Sequence, residues 1–226
     1  ITVQASYTDG GTFSENVSSS ATAQVNTLSA FTSSSTVSVP ENQTLALDVN
    51  ATDADGDSLT YSIAGGADQA KFDLNSSTGV LTFKAAPDFE ANGSVAGNNG
   101  YQVTIQVTDG TSPVAQSITV TVTDQNDAPV FTTSATSSVL ENQTFALHLN
   151  ASDADGDELI YSIAGGADQA KFDLNLSTGV LIFKTSPDFE GNASAAGNNA
   201  YQVTVQVTDG TSPVNQSVTV TVTDQN

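Results

Sequence analysis

The acids of this chain come in short, closely spaced sets. "DADGD" occurs at Asp53 to Asp57 and again at Asp153 to Asp157, "PDFE" at Pro87 to Glu90 and Pro187 to Glu190, and "VTDG" at Val107 to Gly110 and Val207 to Gly210. Carboxylates crowded this closely repel one another by about 1 kcal/mol per pair at 4 Å in water, and by more near a protein surface. A positive partner is required, and the four cationic side chains, Lys71, Lys84, Lys171 and Lys184, stand in other segments. Hard divalent cations meet the requirement. Calcium takes about six to eight oxygens in loose geometry, whereas magnesium tolerates such a crowd less well. The loop is not an EF-hand, which needs glycine sixth and an acid twelfth from its first ligand; counting from Asp53, those places hold Ser58 and Ala64.

Other chemistries have little to work with. The chain has no cysteine and one histidine, His148, so thiol, zinc and Ser-His-Asp chemistry are poorly supplied. His148 stands at an outward strand position and reads as a solvated surface residue. A pair of acids that cleaves glycosides would need a sugar cleft around it, so no enzymatic activity is expected. A net charge of -21 and a pI near 4.1 exclude nucleic acid and anionic membrane surfaces as partners. No apolar run is long enough to span a bilayer. The sequence opens at Ile1 without a signal segment and reads as a piece of a longer protein.

The elements that position the acids repeat. Residues 41–126 align with 141–226 at an offset of 100, with 69 of those 86 positions identical, which identifies a tandem array. "YTDGG" at Tyr7 to Gly11 falls opposite "VTDGT" at Val107 to Thr111. Residues 1–30 therefore read as the last two strands of a preceding, incomplete repeat, followed by a first full repeat at 31–126 and a second at 127–226. Apolar residues alternate with period two, as in Tyr101, Val103, Ile105 and Val107. That is the pattern of half-buried strands. Seven antiparallel strands are predicted per repeat: in the first, at 36–39, 44–50, 59–63, 71–75, 80–84, 101–108 and 114–123. The fold class is all-β, with each repeat a seven-stranded Greek-key sandwich of the immunoglobulin or cadherin type.

An odd number of traverses puts the two ends of a repeat at opposite poles. Asp53, Asp55, Asp57 and Asp109 then share the entry pole, while Glu41, Asp88, Glu90 and Asp124 share the exit pole. In a head-to-tail array, one junction gathers Glu41, Asp88, Glu90, Asp124, Asp127, Asp153, Asp155 and Asp209, with the amide oxygen of Asn126. Two or three calcium ions would roughly balance that charge. Asp57 and Asp157 remain open between a ligand role and a turn that simply favours Asp beside Gly, and a generally acid-rich surface is the alternative for the whole set.

"PEN" at Pro40 to Asn42, "PDFE", the linker "DQND" at Asp124 to Asp127, "DAD" and "VTDG" together resemble the cadherin repeat, over residues 31 to 226, in the wording of cadherin-like arrays of large bacterial surface proteins. The resemblance implies sandwiches joined by calcium-binding linkers. It makes Glu41, Asp88 and Glu90 the first repeat's ligands, Asp124, Asn126, Asp127 and the carbonyl of Ala128 the linker's, and Asp153, Asp155 and Asp209 the second repeat's. The first linker reads "QVNT" at Gln24 to Thr27 and lacks the acids, so Asp53, Asp55 and Asp109 are expected to form only a weaker, partial site. The implied role is an extracellular, calcium-stiffened adhesin stalk or fibril segment, whose partners are neighbouring repeats and homophilic or filament contacts. A polysaccharide-binding accessory module is the alternative, although Trp is absent and Phe89 and Phe189 are the main loop aromatics. A filament completed by residues 1–30 inserting into a neighbouring molecule also remains open. Ten of the 17 asparagines begin N-x-Ser/Thr. That allows a glycosylated surface protein, or simply a chain rich in Ser and Thr.

Overall fold

The structure, a computed structural model, describes residues 4–8, 14–18 and 25–226. The chain divides into two compact units, residues 1–123 and 124–226, so the linker acids from Asp124 onward fall within the second. The first unit opens with a hairpin of β1 (Gln4–Thr8) and β2 (Ser14–Ser18), paired from Gln4↔Ser18 to Thr8↔Ser14. Its sandwich contains β3 (Ala30–Phe31), β4 (Thr36–Pro40), β5 (Leu45–Asp48), β6 (Ala51–Thr52), β7 (Thr60–Gly65), β8 (Phe72–Leu74), β9 (Val80–Phe83), β10 (Gly100–Thr108) and β11 (Val114–Thr123). The second unit repeats it with β12 (Val130–Phe131), β13 (Thr136–Leu140), β14 (Phe145–His148), β15 (Ala151–Ser152), β16 (Ile160–Gly165), β17 (Phe172–Leu174), β18 (Val180–Phe183), β19 (Ala200–Thr208) and β20 (Val214–Thr223).

In each unit a four-stranded sheet, ordered β4-β11-β10-β7 in the first, faces a three-stranded sheet ordered β5-β9-β8. The period-two alternation builds the core between them. Tyr101, Val103, Ile105 and Val107 of β10 are buried together with Ile118, Val120 and Val122 of β11, while Gln102 is exposed. Phe72, Phe83 and Tyr101 form a buried cluster with centroid separations of 4.6, 5.1 and 6.3 Å, repeated by Phe172, Phe183 and Tyr201. Tilted and edge-on ring contacts of this kind add to the burial energy.

Two features correct the sequence reading. The pairing of β4 with β11 is parallel, Thr36↔Thr119 to Pro40↔Thr123, and β13 with β20 likewise, so the strands are not all antiparallel. The reason is parity: the first and last of seven alternating strands run the same way, and they pair only in parallel once they lie side by side. A short pair, β3 with β6, adds to the seven strands.

The long connection between β9 and β10, which carries "PDFE", is anchored by an acid that the sequence did not single out. Asp68 is 2% exposed; its Oδ1 accepts from the Val95 N–H at 2.6 Å and its Oδ2 from the Gln102 N–H at 2.8 Å. Asp168 does the same for Ala195 and Gln202, at 2.6 and 2.9 Å. Nearby, β16 shifts register between Ile163 and Gly165. The backbone then turns at Gly166, where φ is +105°. A Cβ there would lie 2.5 Å from Val203 Cα and 2.7 Å from Gln202 O. Gly166→Ala should therefore cost roughly 3 kcal/mol or more in chemical denaturation. Gly197→Ala, also at positive φ but with open space around it, should cost only about 1 kcal/mol.

Candidate metal centre

Each repeat builds two groups of oxygens, one at its entry and one at its exit. At the entry of the second repeat, the turn closed by Gly156, with φ at +80°, curls "DADGD" so that carboxylate oxygens of Asp153, Asp155 and Asp157 lie within 4.8 Å of one another. Asp53, Asp55 and Asp57 do likewise in the first repeat. The third aspartate of each loop, left open between turn and ligand by the sequence, thus joins the other two. Within the turn, Asp153 Oδ1 accepts from the Asp157 N–H at 3.2 Å. Its Oδ2 and the Oδ1 of Asp155 are buried with no hydrogen-bond partner among the described residues. Buried carboxylate oxygens left in that state are costly, and a cation relieves the cost.

The linker residues reach this group from within the same unit. Asn126 Nδ2 donates to Asp209 Oδ2 at 2.8 Å, and the Asp127 N–H donates to Asp155 Oδ2 at 2.7 Å. A polar cleft of about 440 Å³ is lined by Asp124, Gln125, Asn126, Asp155 and Asp157. Ala128, at the end of the linker, is exposed. Asp209 also accepts from the N–H groups of Thr211 and Ser212, each at 2.6 Å. The Ser212 N–H and then the Asn126 amide hold its carboxyl far below the usual carboxylate range.

The first linker keeps the amide and changes the acid. Asn26 Nδ2 donates to Asp109 Oδ2 at 2.8 Å, as Asn126 does to Asp209. That bond, with the Ser112 and Thr111 N–H groups, holds Asp109 low as well. Where the second linker has Asp127, the first has Thr27, whose N–H and hydroxyl both donate to Asp55 Oδ2 at 2.6 Å. A neutral hydroxyl thus occupies the place of a carboxylate, and Asp55 is bound by hydrogen bonds supplied by the linker itself. The missing acid is visible in the sequence; its substitute is visible only in the structure.

At the exit, Glu41, Asp88 and Glu90 bring carboxylate oxygens within 4.8 Å of one another. Glu41 is 3% exposed and accepts from the Phe89 N–H at 2.7 Å. In the second repeat the corresponding group is Glu141, Glu190 and Asp224, so the acid ending the last strand joins the exit group there. Glu141 accepts from the N–H groups of Gln225 and Phe189, both at 3.0 Å, and these hold its carboxyl below the ordinary value.

Linkage fixes how these acids respond to pH. Asp209 and Glu141 have lower pKa values folded than unfolded, so their contribution is complete above the ordinary carboxylate pKa of about 4 and disappears as pH falls through the folded values. Without added metal, the melting temperature of the second repeat should be flat from neutral pH to about 5 and decline below about 4. Asp209→Asn should make that decline shallower.

The donor set suits a hard cation: it consists of carboxylate and amide oxygens, and two of the four lysines are paired with other acids. Lys84 lies 3.9 Å from Asp73 and Lys184 3.7 Å from Asp173, both exposed pairs. His148 is exposed, as its sequence position implies, and its Nε2 lies 2.8 Å from Thr178 O. Phe89 and Phe189 are half-buried, with Phe89 packed on the core, so neither offers an open aromatic platform.

Comparison with known proteins supports the same frame. The cadherin domain family matches residues 35–123, and the bacterial Ig domain family matches residues 126–223. The chain is 36% identical to Homo sapiens protocadherin Fat 4 over 147 residues, 60% of this chain and 3% of that protein. It is 34% identical to Mus musculus cadherin EGF LAG seven-pass G-type receptor 3 over 201 residues, 81% of this chain and 6% of that one. Chitinase A of Pseudoalteromonas piscicida is 30% identical over 190 residues, 83% of this chain and 21% of the chitinase. The chain thus spans only a small part of each relative. Among solved structures, human protocadherin-24 EC1-2 superposes with a TM-score of 0.55 at 24% identity, over 88% of this chain and all of that one. Drosophila N-cadherin EC1-4 gives 0.51 at 19% identity, over 89% and 50%. These likenesses establish the fold.

Proposed function

Because the chain is a tandem of cadherin-like repeats, we propose that it serves as a non-catalytic, extracellular segment of an adhesive or fibrillar array, stiffened by calcium. The ligands assigned to calcium are Asp124, Asn126, Asp127, the Ala128 carbonyl, Asp153, Asp155 and Asp209 in the second unit, and Glu41, Asp88 and Glu90 in the first. The carrying observation is the pair of buried, unpartnered oxygens on Asp153 and Asp155, with a linker hydrogen-bonded to the loop through the Asp127 N–H and to Asp209 through Asn126. Ions shared by successive repeats restrict their relative motion, which is how a metal without redox or Lewis-acid work acts mechanically. The first entry loop, with Asp53, Asp55 and Asp109, binds more weakly because Thr27 supplies hydrogen bonds in place of a ligand.

Small-angle scattering tests the stiffening. With calcium the profile should be that of a rod, and with chelator that of two jointed bodies; identical profiles would remove the mechanism. Calcium titration of a Thr27→Asp variant should show stronger binding at the first entry loop than in the parent. Among the described residues no helix is long and apolar enough to cross a membrane. The nine N-x-Ser/Thr asparagines with described side chains are all exposed, as attachment of a glycan to this surface requires; Asn16, the tenth, has its side chain outside the described residues.

A further inference from the structure

Asparagine followed by glycine lets a chain modify itself. With no Cβ in the way, the glycine nitrogen can bond to the asparagine Cγ. The side-chain nitrogen then leaves as ammonia, and the resulting five-membered imide takes up water to give aspartate or isoaspartate. The sequence contains this pair twice, at Asn92–Gly93 and Asn99–Gly100, both in the first repeat; the second has Asn192–Ala193 and Asn199–Ala200 at the same offsets.

The structure separates these four positions. Asn99 is 3% exposed, its Nδ2 donates to Phe89 O at 2.7 Å, and the nitrogen that would attack it, Gly100 N, donates to Asn98 Oδ1 at 3.0 Å. Asn199 is buried with the same Phe89-type bond, to Phe189 O at 2.8 Å. Asn192 is exposed but held at both amide atoms: Nδ2 donates to Gly197 O, and Oδ1 accepts from the Asn199 N–H at 2.8 Å. Asn92 is exposed, and its amide makes one long contact, 3.5 Å to Glu90 O. Closing the imide needs rotation of the side chain onto the following nitrogen, and Asn92 alone of the four combines solvent access, a loosely held amide and a glycine neighbour.

We infer that Asn92 is a self-deamidating site, through which the first repeat alters with age while the second does not. The change replaces a neutral amide by a carboxylate two residues after Glu90, and the isoaspartate product inserts an extra main-chain carbon into the connection that carries Asp88 and Glu90. It also consumes the nitrogen to which a glycan on Asn92-Gly93-Ser94 would attach. A further consequence rests on the calcium reading above: isoaspartate at position 92 disturbs the Glu41, Asp88 and Glu90 group and weakens binding there.

The test is site-resolved mass spectrometry of the unglycosylated chain during incubation at mildly alkaline pH and physiological temperature, with isoaspartyl methyl-acceptor content measured in parallel. Conversion at Asn92 should run severalfold ahead of Asn99, Asn192 and Asn199, and Gly93→Ala should suppress it. Conversion at Asn99 or Asn192 as fast as at Asn92, or none at Asn92 while an unfolded peptide of the same sequence converts, would overturn the assignment. Mass reads this chemistry whether or not the loop binds metal. Calcium titration of aged against fresh protein then checks the consequence separately: unchanged affinity with complete conversion would reject the calcium link and leave the modification standing.

Discussion

Chelating calcium should lower the melting temperature of the second repeat by roughly 10 °C or more. A ligand present at about 100 times its dissociation constant adds about 2.7 kcal/mol to the folded state, and a domain of this size shifts by about 4–8 °C per kcal/mol. Part of the gain is relief of repulsion among Asp153, Asp155 and Asp157. Part is satisfaction of the unpartnered oxygens of Asp153 and Asp155. Asp155→Asn should remove most of the calcium-dependent shift. It should also raise the chelated melting temperature slightly, because one of three crowded charges is gone. Calorimetry with and without chelator gives both results. A second repeat that melts at the same temperature in either condition would contradict a structural metal. The first entry loop provides an internal comparison, since Asp55 there already accepts from the Thr27 N–H and hydroxyl, and the loop should give a smaller shift.

Asp168→Ala should destabilise the second repeat by about 3–5 kcal/mol, a large share of a typical domain stability of about 5–15 kcal/mol. The carboxylate is 2% exposed and is the acceptor for two backbone N–H groups, Ala195 and Gln202. Removing it leaves both donors unpaired. Asp168→Asn is only a partial remedy: an amide has one acceptor oxygen, so its NH2 faces one of those donors. Urea denaturation reads the difference, and Asp173→Ala supplies the contrast. Asp173 is also an acid of the same repeat, but its pair with Lys184 is exposed and 3.7 Å long, so its loss should change stability by about 0.5 kcal/mol or less. Equal effects of the two substitutions would mean that Asp168 does not anchor the connection. Asp168→Ala should also weaken whatever binds at Glu190, because that residue lies on the connection released.

The difference between these two aspartates also shows what the sequence can carry. Tyr101, Val103, Ile105 and Val107 announce a strand because burial on one face imposes period two on side-chain type, and the 100-residue offset duplicates the message. One acid group was legible for a related reason: counting strands assigns loops to poles, and the structure brings Glu41 together with Asp88 and Glu90, which lie on two different connections. Asp68 was not legible. Its partners are backbone N–H groups at Val95 and Gln102, which leave no trace in residue type, and Asp beside a short turn resembles any surface turn. The pair β3 with β6 escaped because two-residue strands have no alternation to display. Thr27 escaped because a hydroxyl replacing a carboxylate reads as a loss, and only the 2.6 Å bonds to Asp55 show what took its place.

The parallel pairing of β4 with β11, and of β13 with β20, has a mechanical consequence. Tension along an array enters a repeat at the start of its first long strand and leaves at the end of its last. Where those strands lie parallel and hydrogen-bonded, Thr36 to Pro40 against Thr119 to Thr123, the pull acts along the ladder rather than across it. The bonds are then loaded together in shear instead of being opened one after another from an end. A repeat pulled from its two ends is therefore expected to yield abruptly and at high force, with the five residue pairs at the edge of the sandwich carrying the load.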